Sequence, residues 1–424
     1  MDKDIHFFYI GGVKMSETIE RNLDFDTVIE RRHTNSIKYD FAAEFRAVKA
    51  GEDPYGLLPL WVADMDFKTS SFIQDELVRI AEYGIFGYTA PKDDYYETIQ
   101  NFYRRRHKYI IEDRKWIIRI PSVMFALSMA IKAFTDVGDY VLIQQPVYMH
   151  FADVIINNDR KVESNDLVYG EDGRYHIDFE DFEKRIVRNN IKLFLLCSPH
   201  NPVCRVWTRE ELKRIGNICI KHNVIVVSDE IHSDFVFEGT HTVFGSISEE
   251  FANNSIIVTS PTKTFNLAGV QVAHAFIKNP TLRRAFRKQI LATGNSEVSI
   301  QGLASAQAAY SKGEVWLDAL LKYLKGNIAF IENFVRENLK GVKLVPMEAT
   351  YLAWLDFNGT GLSPKEIEDR VRNRARLWLN NGILFGKNGE GFQRLNLACP
   401  RSILVEALNR LKVALGKPRA TRNP

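Results

Sequence analysis

Five short apolar runs dominate the middle of the chain: "YVLIQQP" (140–146), "IKLFLLCSP" (191–199), "NVIVVSD" (223–229), "SIIVTSP" (255–261) and "VAHAFIK" (272–278). Each is apolar at successive positions, so as a strand it must bury both of its faces. Segments with helical spacing separate most of the runs, the clearest at 208–222. Helices are also predicted over 71–83, 93–108 and 122–135, the last started by Pro121-Ser122, and a long helical stretch over 303–339. Doubly apolar strands alternating with helices define an α/β fold, a mostly parallel sheet with helices on both faces. After Gly341 the pattern changes to short strands and two helices, predicting a smaller α+β domain. The expected division is an N-terminal segment at 1–70 shared with the small domain, a large domain at 71–325 and a C-terminal domain at 326–424. A length of 424 residues, too long for one ordinary core, agrees with it.

Charge excludes several functions. Lys and Arg number 56 against 53 Asp and Glu, a net charge of +3 that gives no pull toward nucleic acid or a membrane surface. The cluster "YRRRHK" (103–108) reads as a solvated helix face. Cys197, Cys204, Cys219 and Cys399 form no CxxC pair and read as reduced thiols of a cytoplasmic protein. No apolar run approaches the roughly 18 residues of a membrane span. The opening "MDKDIHFFYIGGVK" is too acidic and too briefly apolar for a signal peptide, and Met15 is an alternative start that would leave residues 1–14 peripheral.

Ligands bind such sheets at the carboxyl ends of the strands. Three of the runs end there in polar groups: "CSPHNP", "SDEIHSD" and "SPTKTFN". In the second, Asp229, Glu230, His232 and Asp234 are all metal-capable. A run leaving a strand spreads its side chains in different directions, however, so a metal site is not expected. In the third, Lys263 follows a buried strand, where a solvated amine gains little.

The order of these motifs resembles the fold-type I pyridoxal phosphate enzymes, which are aminotransferase-like, over about residues 30–416. Within them, "LPLWVADMDF" (58–67), "SPHNPVCRVWT" (198–208), "SDEIHSD" (228–234) and "KTFNLAGVQ" (263–271) are similar to the MalY/PatB-type β-C–S lyases. The resemblance implies pyridoxal 5′-phosphate as cofactor, a large cofactor-binding domain with a seven-stranded-type sheet, and a homodimer with contacts from the N-terminal segment. It makes Lys263 the Schiff-base residue and the base for the substrate Cα proton. Asp229 keeps the pyridine nitrogen protonated, Asn201 bonds the phenolic oxygen, and Tyr148 stacks on the ring. His232 stands where aminotransferases usually have tyrosine; it either bonds the same oxygen or only packs. The phosphate falls to the helix start at Ser122, Val123 and Met124, with hydroxyls from Ser260 and Thr262. Tyr88, in the aromatic loop "YGIFGYTAP" (83–91), reaches the phosphate from the neighbouring subunit. Arg394 grips the substrate α-carboxylate, with the backbone of Ala63 opposite.

Two residues depart from the pattern. Gln271 stands where aminotransferases place a phosphate-binding arginine, a departure the MalY/PatB-type enzymes share. Cys204 replaces a usual glycine, at a cost of about 1 kcal/mol if the backbone there has φ above zero. The implied reaction is β-elimination of a sulfur-bearing L-amino acid, such as cystathionine or cysteine, to pyruvate, ammonia and a thiol. An aminotransferase is the nearest alternative. A protein that keeps the cofactor for structure and regulates through protein contacts is the alternative of another class.

Overall fold

The computed structural model describes residues 19–45, 47–48, 52–294 and 297–416. Met15 and the segment 1–14 lie outside them. Seven strands form the main sheet: β1 (Ile117–Ile120), β2 (Tyr140–Ile143), β3 (Lys161–Ser164), β4 (Leu193–Cys197), β5 (Ile225–Asp229), β6 (Ser255–Thr259) and β7 (Ala273–Phe276). Their order is β1-β7-β6-β5-β4-β2-β3. The strands β2 to β6 pair in parallel, whereas β7 is antiparallel to both of its neighbours. β1 therefore points the same way as the parallel set, and six strands end on one edge.

The apolar runs are β2, β4, β5, β6 and β7, and their composition has a simple cause. Along β4, Leu193, Leu195 and Cys197 enter the core on one face of the sheet. Phe194 and Leu196 enter the core on the other. Both sides of the pleat are dry, so no position is left for a polar residue. The two strands that periodicity misses, β1 and β3, are the sheet's edges and carry Arg119, Lys161 and Glu163.

Helices α1 (Ser71–Tyr83), α2 (Asp93–Arg106), α3 (Val123–Phe134) and α4 (Arg209–Lys221) match their predicted spans closely. Thr208 caps α4 through a capping box with Glu211. The stretch predicted at 303–339 is two helices, α5 (Ile300–Lys312) and α6 (Glu314–Asn338), meeting at Gly313. A Cβ on Gly313 would lie 2.5 Å from the Phe265 ring, so glycine lets the helix junction close over that side chain. The position 325–326, where the sequence suggests a domain boundary, lies inside α6.

The small C-terminal sheet contains β8 (Lys343–Leu344), β9 (Leu352–Asp356), β10 (Asn380–Asn381) and β11 (Phe392–Asn396), in the antiparallel order β8-β9-β11-β10. Helix α7 (Arg401–Leu415) packs against α6. The N-terminal segment is strapped across this unit. Leu58 and Pro59 pair in parallel with Leu377 and Trp378. Asn396 donates from Nδ2 to the Val62 and Asp64 carbonyls, both at 2.7 Å. Asn266, three residues after Lys263, binds the backbone of Met65 and Phe67. The strap thus contacts both the C-terminal sheet and, through Asn266, the segment after β6, beside the carboxyl edge of the main sheet.

Candidate active site

The polar groups predicted from the strand ends do converge on that edge. Asp229 is the last residue of β5 and is buried, its carboxylate accepting the Ile231 N–H at 3.1 Å. Burial, together with the neighbouring Glu230, pushes its pKa up to about 7, although Lys263 pulls the other way. Lys263 lies in a single helical turn after β6, and its Nζ donates to the Ala63 carbonyl at 2.8 Å. Burial lowers its pKa to about 8 against the opposing fields of Asp64 and Asp229, while Arg394 adds to the lowering. An amine in this state is readily available as the free base near neutral pH, the form needed for a nucleophile or a proton acceptor.

Arg394 sits on β11, directly across from Asn380 on β10. It is 3% exposed, and all three of its hydrogen-bond acceptors are neutral: Asn201 Oδ1 at 3.1 Å, the Trp61 carbonyl at 2.9 Å and Asn380 Oδ1 at 2.6 Å. Its guanidinium carbon lies 4.8 Å from the centre of the Phe385 ring, and its Nε is buried without a partner. Burial lowers even this group to about 10. Among the described residues no carboxylate pairs with it. A buried guanidinium with only neutral partners is costly unless an anion completes it, so this is where a ligand carboxylate belongs.

Asn201 thus touches Arg394 directly, and its own carbonyl accepts the Tyr148 N–H at 3.0 Å. Tyr148 follows β2, is half-buried and interacts electrostatically with both Arg394 and Asp229. His232 is buried with Nδ1 unpartnered, and burial together with the Lys263 and Arg394 charges drops its pKa to about 3, so the ring is neutral. Packing alone would leave Nδ1 unsatisfied; the ring also lies edge-on to Tyr351 at 6.0 Å.

The phosphate-binding candidates hold helix-capping positions. Ser122 N-caps α3 and accepts the Phe125 N–H at 3.1 Å, so its oxygen serves the helix. The first-turn N–H groups of Val123 and Met124 have no acceptor within the helix and remain for an anion. Ser260 donates to the Val272 carbonyl and contacts the Thr262 hydroxyl at 2.7 Å. Gln271 adopts φ 57° and is exposed. Tyr88 is fully exposed, and Phe86 and Ile85 are exposed beside it.

Arg394 bonds the Trp61 carbonyl, and the Ala63 carbonyl receives both Lys263 and the Tyr351 hydroxyl, the latter at 2.9 Å. Trp61, Tyr351, Asn380 and Phe385 complete the site without having been predicted. All but Trp61 come from the C-terminal part of the chain, where two-residue strands and short helical turns give weak periodicity.

The metal-capable run disperses. Glu230 bonds Ser228, His241 and the Phe244 N–H. Asp234 faces away toward Thr264, Arg106 and His107. Among the described residues no group of three His, Cys, Asp or Glu side chains could hold a metal. Cys204 has φ 61°, the left-handed backbone suspected from the sequence, and its single S–H lies within reach of the Pro202 and Leu352 carbonyls, at 3.3 and 3.2 Å.

Comparison with known proteins agrees with this geometry. The model of the family described as aminotransferase class I and II matches residues 64–411. Cystathionine beta-lyase PatB of Bacillus subtilis (strain 168) is 39% identical, with 93% of this chain and 100% of that protein aligned. Protein MalY of Escherichia coli (strain K12) is 32% identical over 90% of this chain and 96% of its own. The crystal structure of cystalysin from Treponema denticola, which contains pyridoxal 5′-phosphate, superposes with a TM-score of 0.87. It is 36% identical, covering 92% of this chain and 98% of that one.

Proposed function

Because the chain belongs to the class I and II aminotransferase family, we propose that it is a pyridoxal phosphate-dependent carbon–sulfur β-lyase. It cleaves sulfur-bearing L-amino acids of the cystathionine and cysteine type to pyruvate, ammonia and a thiol. The observation that carries this reading is the convergence at the strand ends of Lys263, whose Nζ donates to the Ala63 carbonyl, the buried Asp229, and Arg394, a buried guanidinium with only neutral partners beside Asn201.

The residues present fit the cofactor. Asp229 is an ionisable carboxylate buried at a strand end and short of a cation, which the pyridinium nitrogen provides. Val123 and Met124 offer helix N–H groups to the phosphate. The orphaned Nδ1 of His232 and the face of Tyr148 remain for the ring. When bound, pyridoxal phosphate supplies an aldehyde that condenses with amines and a ring that accepts electrons from the substrate Cα.

The protein's own groups do the rest. Arg394, held by Asn201, Asn380 and the Trp61 carbonyl, receives the substrate α-carboxylate and so fixes which Cα–H bond faces Lys263. Lys263 Nζ takes that proton. The electron pair left on Cα forms a Cα–Cβ double bond as the Cβ–S bond breaks with its electron pair on sulfur, and the sulfur leaves as the thiol after gaining a proton. Water releases the remaining carbon skeleton as pyruvate and its nitrogen as ammonia.

Two further elements belong to this reading. The exposed loop carrying Ile85, Phe86 and Tyr88 supports a homodimer in which Tyr88 completes the neighbour's phosphate site, where Gln271 brings no charge. The four free, buried cysteines support a cytoplasmic setting. The deciding experiment supplies cystathionine without any keto acid. Stoichiometric pyruvate and thiol are expected, and turnover that requires a keto-acid acceptor would make the enzyme an aminotransferase.

A further inference from the structure

The turn that carries Asn201 is anchored by a buried cation for which the reaction itself has no use. His200 and Arg205 pair across the turn as an antiparallel bridge, the His200 N–H donating to the Arg205 carbonyl at 2.9 Å, so that Asn201 to Cys204 form a closed tip. At the tip, Asn201 accepts from Arg394 through its side chain and from the Tyr148 N–H through its backbone. At the foot, His200 donates from Nε2 to the Pro146 carbonyl at 2.9 Å, and Arg205 is 5% exposed. The Arg205 guanidinium donates from Nε to Glu348 at 3.0 Å, from Nη2 to both oxygens of Glu211 at 3.1 Å, and from Nη1 to the Tyr175 carbonyl. Glu348 also accepts the Val206 N–H at 2.8 Å and Arg174 Nε at 2.9 Å.

Glu348 comes from the C-terminal sheet. It lies just before β9, which pairs with β11 and places Trp354 opposite Arg394. Next to it, the Ala349 N–H donates to the Cys204 carbonyl at 3.0 Å. The turn is therefore held to one sheet at two points, its tip to Arg394 on β11 and its foot to Glu348 ahead of β9. A buried ion pair adds little net stability over well-packed apolar side chains; what it fixes is register. We infer that Arg205, with Glu348 as its counter-ion, is a positioning residue for the substrate α-carboxylate. The pair sets where Asn201 stands against Arg394, and so the plane that the guanidinium presents. Without it the turn is free to shift, and the oxygen that holds Arg394 Nη1 shifts with it. The inference rests on the reading of Arg394 as the carboxylate grip.

The test uses the cofactor-loaded full-length protein and two ligands without a leaving group, L-alanine and ethylamine, which differ by the carboxylate alone. The change in visible absorbance on adding each gives its half-saturating concentration. Arg205→Gln is expected to raise that of L-alanine about tenfold, the lower end for a hydrogen bond to a charged group, and to leave that of ethylamine unchanged. A general loosening of the fold would weaken both ligands, so equal losses overturn the inference, as does an unmoved value for L-alanine. Glu348→Gln is expected to show the same selective loss, and it carries the test alone should Arg205→Gln not fold. Full binding of L-alanine by Glu348→Gln refutes the pairing. If the wild-type protein holds L-alanine no better than ethylamine, the grip by Arg394 fails and this inference with it. A wild-type preference that both variants keep sinks the inference alone.

Discussion

Replacing Arg394 with lysine tests the substrate grip. The guanidinium has five N–H donors, and three of them are spent on Asn201, Asn380 and the Trp61 carbonyl. These bonds orient the plane, and Nε–H is one of the two donors left over. Lysine brings an ammonium that cannot span the two asparagine oxygens and a carboxylate at once. The variant therefore loses one charge-assisted contact to substrate and the orientation of the other, a cost of about 1–3 kcal/mol. In kcat/KM this is a loss of roughly 5- to 150-fold. The lost contact is to the α-carboxylate, common to all amino acids, so cystathionine and cysteine should suffer alike. Pyruvate release, measured over a range of substrate concentrations, reads both constants. An unchanged visible band verifies that the cofactor site survives. A loss confined to one substrate would place Arg394 in the side-chain pocket, and an unchanged kcat/KM would refute the grip altogether.

Four further outcomes are expected. Borohydride reduction of the cofactor-loaded protein followed by peptide mapping places the label on Lys263, and Lys263→Ala abolishes both the label and turnover. Asp229→Asn retains the cofactor but lowers kcat by about 10²–10³, the usual effect of removing one electrostatic stabiliser, and treatment with EDTA leaves the wild-type rate unchanged. Mixing Tyr88→Phe subunits with Lys263→Ala subunits yields heterodimers with one intact site, so activity exceeds that of either parent; heterodimers without that gain would confine Tyr88 to its own chain. In the cofactor-free protein, Asp229 has a pKa raised from 3.8 to about 7, so its contribution to stability is present below pH 4 and is lost as pH rises to 7. The difference in denaturant midpoint between wild type and Asp229→Asn should trace that window, with an amplitude on the order of 4 kcal/mol. Lys263 titrates separately, its stabilising neutral form being lost as pH falls through about 8.

The main sheet was legible because its physics is repetitive. Strands dry on both faces must be apolar throughout, as Leu193 to Cys197 show, and the polar residues at their ends are conspicuous for that reason. Asp229, Asn201 and Lys263 could be found at those ends from sequence alone. Edge strands β1 and β3 obey no such rule, because one side of each ladder needs charge rather than burial. The break at Gly313 was equally hidden, since nothing local in residues 303–339 announces that the Phe265 ring, almost fifty residues earlier, occupies the space beside it.

The half of the site contributed by the strap was hidden for a different reason. The two carbonyls that matter, those of Trp61 and Ala63, are two residues apart on a segment that bends at Val62 and Ala63. A choice between them depends on register with Leu377 and Trp378 and on the clamp from Asn396. These are long-range backbone contacts that no pattern in "LPLWVADMDF" encodes. Asp64 and Asp66 share the cations Arg31 and Lys38, and sequence alone does not tell them apart. Only the folded strap breaks the symmetry. It saturates Asp66 with both cations and leaves one oxygen of Asp64 without a donor, next to the carbonyl that holds the reactive amine.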